Sequence, residues 1–396
     1  MLKNILSKLE NPKRPLLGPN VKALKFWGLL LPDSNKKKCF YLFMHLAVTL
    51  FTATEYVDVW FVKSDLNLLL NNLKITMLAT VSVCKVSTFL YGQKRWKDVI
   101  EYVTRADLEQ RETRDERKID MINRFTVYCR KITYLYWSLM YTTVIIVMTQ
   151  PIVKFFSSES YRENVQNGTG TYLEVVSSWV PFDKRSIPGY LAASVYQSYA
   201  AIYGGGWITS FDSNAMVIMV FFRAELELLR IDSAGIFGTE AKPVVDGIAL
   251  ARLKDCHRRH VELVKFARIF DSCLSPIMLL YMFVCSVMLN LISIIPMQRF
   301  LTTEYLVFGV AQLFIYCWHS NDVLYASQDL MRGPFESAWF TRDVKCRKNL
   351  YILTAQYRKK IVFSAGPFSK LTVETFISIL KGAYSYYTLL GQSQMK

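Results

Sequence analysis

From Ser272 to Gln298 the chain runs 27 residues without a charged side chain. About 20 mostly apolar residues suffice for a helix to cross the roughly 30 Å hydrocarbon core of a bilayer. Comparable stretches run from Tyr134 to Val153, from Ser186 to Phe211, from Tyr305 to Asn321 and from Phe40 to Thr54, the last extendable through Phe61. Two weaker ones, Leu66 to Tyr91 and Leu371 to Gln392, are interrupted by Lys74 and Lys85 and by Glu374 and Lys381. The chain is read as a membrane protein with five or seven spans.

Loop charges choose between those counts, because Lys and Arg of short loops stay on the cytoplasmic side. Residues 1–38, 92–127, 222–263 and 326–366 hold nine, nine, seven and eight Lys/Arg, whereas 62–65, 152–187, 297–304 and 391–396 hold one, four, one and one. Seven spans separate these two sets cleanly. Five would put the basic 92–127 loop beside the nearly neutral 62–65 turn. The expected fold is therefore all-α, a seven-transmembrane helical bundle with a cytoplasmic N-terminus and an extracellular C-terminus. The only N-glycosylation acceptor, Asn167-Gly168-Thr169, falls in an outside loop. None of the eight cysteines does, and the first residues contain no apolar signal segment.

This orientation is opposite to that of a G-protein-coupled receptor. The net charge of +16 reads as a solvated cytoplasmic face able to touch anionic lipid heads, not as a nucleic-acid site. A mean hydropathy of +0.18 agrees. His257 and His260 flank two arginines, which disfavours a metal and leaves a basic helix surface. The run Asp107 to Lys118 reads as an exposed helix, and Gly204-Gly205-Gly206 as a close packing point or break within the fourth span. No constellation of a hydrolase, kinase or oxidoreductase is present; no catalytic residue, cofactor or metal is expected.

The seventh span differs from the rest. Thr372, Thr375, Ser378, Gly382, Ser385, Leu389 and Gln392/Ser393 recur at steps of three and four, one helical face. Phe376, Ile377, Ile379, Leu380, Tyr384, Tyr387 and Leu390 are assigned to the other. A polar stripe within lipid must turn to protein or water. Packing inside the bundle and lining a pore in an oligomer both satisfy that.

Four segments in order resemble insect odorant receptors. They are Leu253-Lys-Asp-Cys-His-Arg-Arg-His260 with Phe270 and Ser275-Pro276; Leu313-Phe-Ile-Tyr-Cys-Trp318 with Asn321, Ser327, Leu330 and Trp339; Ala365-Gly366-Pro367-Phe368; and Ala383-Tyr-Ser-Tyr-Tyr-Thr-Leu-Leu390. The resemblance covers about residues 250–392; Ser320 departs from a frequent glycine. It implies an odorant-binding subunit of a ligand-gated, non-selective cation channel in the plasma membrane of olfactory neurons. Four subunits, this chain and a shared co-receptor among them, would surround one pore formed by the last helix. The short 222–263 loop fits a tuning subunit and not the co-receptor. A gustatory-type channel of the same topology and a secondary transporter are the rival readings; Ser385-Tyr386-Tyr387 fits the odorant branch better, and no internal repeat supports a transporter.

With that resemblance, three regions are expected: residues 1–325 as helices one to six with an outer-half ligand pocket, 326–366 with parts of 222–265 as the cytoplasmic anchor between subunits, and 367–396 as the pore helix. A small volatile hydrophobic ligand calls for a mainly apolar pocket with sparse polar contacts. Span direction selects Leu73, Met77, Tyr141, Ile145, Met148, Tyr196, Tyr199 and Phe308 for it. Matching the family's last motif places Leu389 and Ser393 at the gate, with Gln392 beside them and Ser385 on the same stripe.

Overall fold

The computed structural model describes residues 8–292 and 300–394. Seven helices among them are 22 residues or longer: α2 (Asn35–Phe61), α3 (Leu66–Tyr91), α5 (Glu116–Ser157), α7 (Ile187–Ala234), α8 (Asp246–Ile292), α9 (Phe300–Asp329) and α11 (Val373–Gln394). Shorter helices are α1 (Gly18–Phe26), α4 (Gln93–Arg111), α6 (Glu159–Gln166) and α10 (Val344–Tyr357). A two-residue hairpin, β1 (Ser364–Ala365) with β2 (Ser369–Lys370), precedes α11. Each of the seven expected spans falls on one long helix. Among the described residues, four stretches qualify by length and apolarity alone, in α2, α3, α5 and α8. Residues such as Ser210, Asp212, Ser213 and Asn214 dilute α7, and the polar stripe dilutes α11.

Helices α5, α7 and α8 have 42, 48 and 47 residues. At about 1.5 Å per residue they exceed 60 Å, twice the membrane thickness. Their basic ends therefore project from the membrane, where α4 and α10 pack against α8. Local chemistry sets the boundaries. Asp115 accepts from the Arg117 N–H to start α5, Ser158 from Tyr161 to start α6, and Ser186 from Gly189 to start α7.

The core sits around α7, which touches α1, α2, α3, α5, α8 and α9. Residues 205–222 are buried on every side. Two of the three glycines explain part of this: a Cβ at Gly206 would lie 2.3 Å from the Trp27 ring and one at Gly205 2.7 Å from Val144, whereas one at Gly204 meets nothing within 4 Å. The helix runs through all three unbroken, so close packing is the role of Gly205 and Gly206. Gly366 has a similar one. Its φ of 67° and a Leu279 methyl 2.7 Å from a hypothetical Cβ exclude larger residues. Its N–H and that of Ser364 bind the Ser275 carbonyl and the Asp271 carboxylate, hooking the hairpin onto α8. That contact accounts physically for the Ala365-Gly366-Pro367-Phe368 motif.

Two expectations are corrected. Residues 107–118 are not one exposed helix: α4 ends at Arg111, α5 starts at Glu116, and Asp107 is buried, accepting from Arg111 and the Leu16 N–H. His260 is no surface residue but is fully buried, its ring 4.9 Å from that of Tyr357. Among the described side chains of the apolar face of α11, Ile377 and Tyr384 are exposed, whereas Phe376, Ile379 and Leu380 pack on the bundle.

A candidate ligand site above a buried ion pair

At the membrane end away from the basic loops, a second hydrophobic cluster forms apart from the main core. Phe51 of α2, Ala200 of α7, and Val175 and Val176 of the 167–186 loop are its buried members. Ile75, Val147, Met148 and Tyr196 close around them. The loop reaches down because its polar groups are satisfied there. The Val175 N–H donates to Gln197 at 3.1 Å, Lys184 pairs with Glu174 at 2.6 Å, and Ser177 donates to Asp58 at 2.6 Å. Asn72 also donates to Asp58, at 2.9 Å. The result is an apolar patch of four helices and one loop, rimmed by a few polar groups. It holds no pairing of nucleophile and base. Its chemistry is that of binding.

The expected ligand residues distribute unevenly around it. Met148 and Tyr196 lie in the cluster, the Tyr196 ring 5.1 Å from Phe51 and its hydroxyl 3.0 Å from the Ala47 carbonyl. Leu73 and Met77 are half-buried on α3. Tyr199 turns to α2, its hydroxyl 3.0 Å from the Met44 sulfur, and Tyr141 faces Trp27. Ile145 is 59% exposed and lies outside the cluster. The side chains of Phe308, Leu389, Gln392 and Ser393 lie outside the described residues. Ser385 is exposed on α11, and Asn167 is exposed at the end of α6.

Deeper in the membrane lies a constellation to which the sequence reading gave no role. Lys85 and Asp212 form an ion pair at 2.8 Å with side chains 2% and 0% exposed. The Asp212 carboxylate also accepts from the hydroxyls of Tyr136 and Tyr316, both at 2.7 Å, and from the Gln312 amide. Helices α3, α5, α7 and α9 thus meet on one carboxylate. The Tyr281 hydroxyl of α8 lies 2.7 Å from Gln312 Oε1 and 2.8 Å from the Gly309 carbonyl oxygen. Counting along three helices gives one depth. Ile75 to Lys85, Met148 to Tyr136 and Ala200 to Asp212 are steps of ten or twelve residues, about 15–18 Å at 1.5 Å each. The signal was present in the sequence. A lysine and an aspartate in different apolar segments are costly in lipid unless they find each other.

On the projecting basic body, ion pairs interlock instead. Asp232 of α7 binds both Lys118 and Arg259, and Arg259 reaches Glu225 at 3.4 Å. Arg130 grips Glu10 at 2.6 Å together with the Leu16 carbonyl, tying the N-terminal segment down. Burial pushes the Glu225 carboxyl up to about 7.

Comparisons with known proteins agree with this architecture. The family described as 7tm odorant receptor matches residues 65–384. Odorant receptor Or2 of Anopheles gambiae is 22% identical over 388 residues, covering 95% of this chain and 97% of that one. Odorant receptor 13a of Drosophila melanogaster is 22% identical, covering 85% and 88%. The odorant receptor coreceptor of Anopheles gambiae aligns over only 34% of this chain and 30% of its own length, at 21% identity. Among solved structures, the olfactory receptor OR5 of Machilis hrabei in complex with eugenol superposes with a TM-score of 0.80, 14% identity and coverage of 97% and 100%. A multi-pass helical membrane protein matched by this family over most of its length, the chain belongs to the seven-transmembrane odorant receptor family.

Proposed function

We propose that the chain is the odorant-specific subunit of a ligand-gated cation channel, assembled with the co-receptor into a tetramer in the plasma membrane. The observation that carries this reading is the one-sided packing of α11. The Phe376 ring lies tilted against that of Phe314 of α9, 5.4 Å between centres, while Ser378, Gly382 and Ser385 are exposed on the single chain. An exposed polar stripe at membrane depth calls for water or a neighbouring subunit beside it. Apolar side chains on the projecting body ask for the same neighbour: Phe335, Phe340, Tyr351 and Ile352 are all exposed beyond the membrane. The basic end is then cytoplasmic and the Asn167 end outside.

In this reading a small volatile ligand, of the kind eugenol is for the Machilis receptor, enters the cluster of Phe51, Met148, Val175 and Tyr196. Its affinity comes from apolar burial, at about 25 cal/mol per Å². The gate falls on the Leu389 level of α11, where an apolar ring excludes water until the helix tilts. Co-expression with the co-receptor under voltage clamp tests the assignment. An odorant-evoked current that needs both chains is expected, and Met148→Ala should reorder ligand preference at unchanged surface expression. Leu389→Ser should raise ligand-independent current. A response of this chain alone, or none with the co-receptor for any odorant that other subunits detect, would count against it.

A further inference from the structure

We propose that Asp212 is a positioning residue for gating: its buried carboxylate clamps α3, α5, α7 and α9 in the resting packing, and opening requires the α9 donors to leave it. The proposal rests on the channel reading above and assigns that channel its internal coupling element.

A carboxylate offers about four lone-pair sites. Lys85 approaches both oxygens, at 2.8 and 3.0 Å. Tyr316 takes a second place on Oδ1, and Tyr136 and Gln312 share Oδ2. The carboxylate is saturated, and every donor comes from a helix other than α7. In a dry interior a donor that leaves must find another partner.

Helix α9 is the member able to carry that change to the pore. Gln312 and Tyr316 are one turn apart and face Asp212, whereas Phe314 between them meets Phe376 of α11. Moving α9 away from Asp212 therefore moves the helix on which α11 rests. An alternative partner stands ready. The single proton of the Tyr281 hydroxyl can go to Gln312 Oε1 or to the Gly309 carbonyl, not to both. One arrangement keeps the Gln312 amide oriented at Asp212; the other releases it. Lys85 also faces the Tyr281 ring, 5.0 Å from its centre. The ion pair and the hydroxyl switch are thus in direct contact. The ligand cluster lies on the same three helices, α3, α5 and α7, about 15–18 Å outward.

The test uses the full chain co-expressed with the co-receptor, with surface labelling beside current recording. Tyr316→Phe and Gln312→Met each remove one α9 donor with little change of volume. Each should raise basal current and shift the half-maximal concentration of every agonist the same way, by about tenfold. Where Asp212→Asn does not reach the surface, the two α9 variants decide. Unchanged basal current and agonist sensitivity in both, at normal surface expression, overturn the clamp. A change confined to some ligands also overturns it, since that marks a specificity contact. The unmodified chain in the same cells separates the two claims: if it gives no odorant current the channel reading falls, and if it responds normally the variants judge the clamp alone.

Discussion

Helices α7 and α11 are both interrupted by hydroxyls and glycines, yet the fold puts that polarity to opposite uses. In α7, residues 205–222 are enclosed on all sides and Ser213 and Asp212 find partners inside the protomer, the Trp137 indole among them. In α11, among the described side chains, Phe376, Ile379 and Leu380 are packed on the bundle, and Ser378, Gly382 and Ser385 of the stripe are exposed. Polar content alone does not say whether a membrane helix is a hub or a lining. The residues around it decide. Substitutions at equivalent small positions should therefore separate the two helices. Gly206→Leu drives a side chain into Trp27, and overpacking of that kind costs about 3 kcal/mol. Surface expression should be lost. A Cβ at Gly382 of α11 meets nothing within 4 Å, so Gly382→Ala should traffic normally. Equal trafficking of both would break the contrast.

The buried character of α7 continues into the projecting body, where it meets α8 and α10, and this makes the region sensitive to acid. Burial, with help from the nearby charges of His257 and Lys359, lowers His260 from 6.5 to about 4. The folded state thus binds this proton less well than the unfolded one. Between pH 6.5 and 4 the unfolded chain takes up the proton first, so stability falls as pH falls. The histidine's share, about 3 kcal/mol, is lost fully only below pH 4. Thermal unfolding of the purified receptor in detergent, followed from pH 7.5 to 4.5, should show wild type losing more stability than His260→Phe. The difference isolates the histidine, because Glu225 titrates in both proteins. Parallel curves would show that His260 is wet.

A smaller effect is expected where the same junction is held by one neutral bond. The Tyr357 hydroxyl lies 2.7 Å from Ser233 Oγ, which also donates to the Leu229 carbonyl. Tyr357→Phe leaves the serine a partner and keeps the ring on His260, so about 1 kcal/mol should be lost in the same unfolding assay. A loss as large as that of Gly206→Leu would mean the hydroxyl, not the ring, joins α7 to α10.

The span count was legible because a bilayer imposes a length and loop charge imposes a side. Leu66 to Tyr91 was located to the residue despite its two lysines. That Lys85 and Asp212 each need a partner was legible, but that they partner each other was not, since they meet across 127 positions of sequence and only the fold supplies the pairing. His260 was misread for a related reason. Its neighbours in sequence are charged, but its neighbour in space is Tyr357. The outer hydrophobic cluster was half legible: helix direction put Met148 and Tyr196 at its depth, but periodicity cannot show that Val175 and Val176 fold back from a loop between them. Ile145 shows what direction leaves out: it gives depth and not the face, and this side chain is exposed on the single chain.

The finest distinction between α7 and α11 concerns water and leaves stability almost untouched. A thiol reacts as its thiolate, which requires contact with water. In a background with the exposed Cys39 replaced by serine, Ser378→Cys and Gly382→Cys should react with a charged, membrane-impermeant thiol reagent in the assembled, agonist-opened channel. Ser213→Cys should not, because residue 213 is fully buried against Trp137. The position on α11 matters as much as the helix. Ile377 is also exposed, but it stands one residue, about 100° around the helix, from Ser378. If the stripe alone lines a water-filled path, Ile377→Cys should react far more slowly than Ser378→Cys, and agonist should accelerate only the latter. Equal rates at the two positions would mean that α11 faces water on both exposed sides, and the stripe would lose its standing as the pore face.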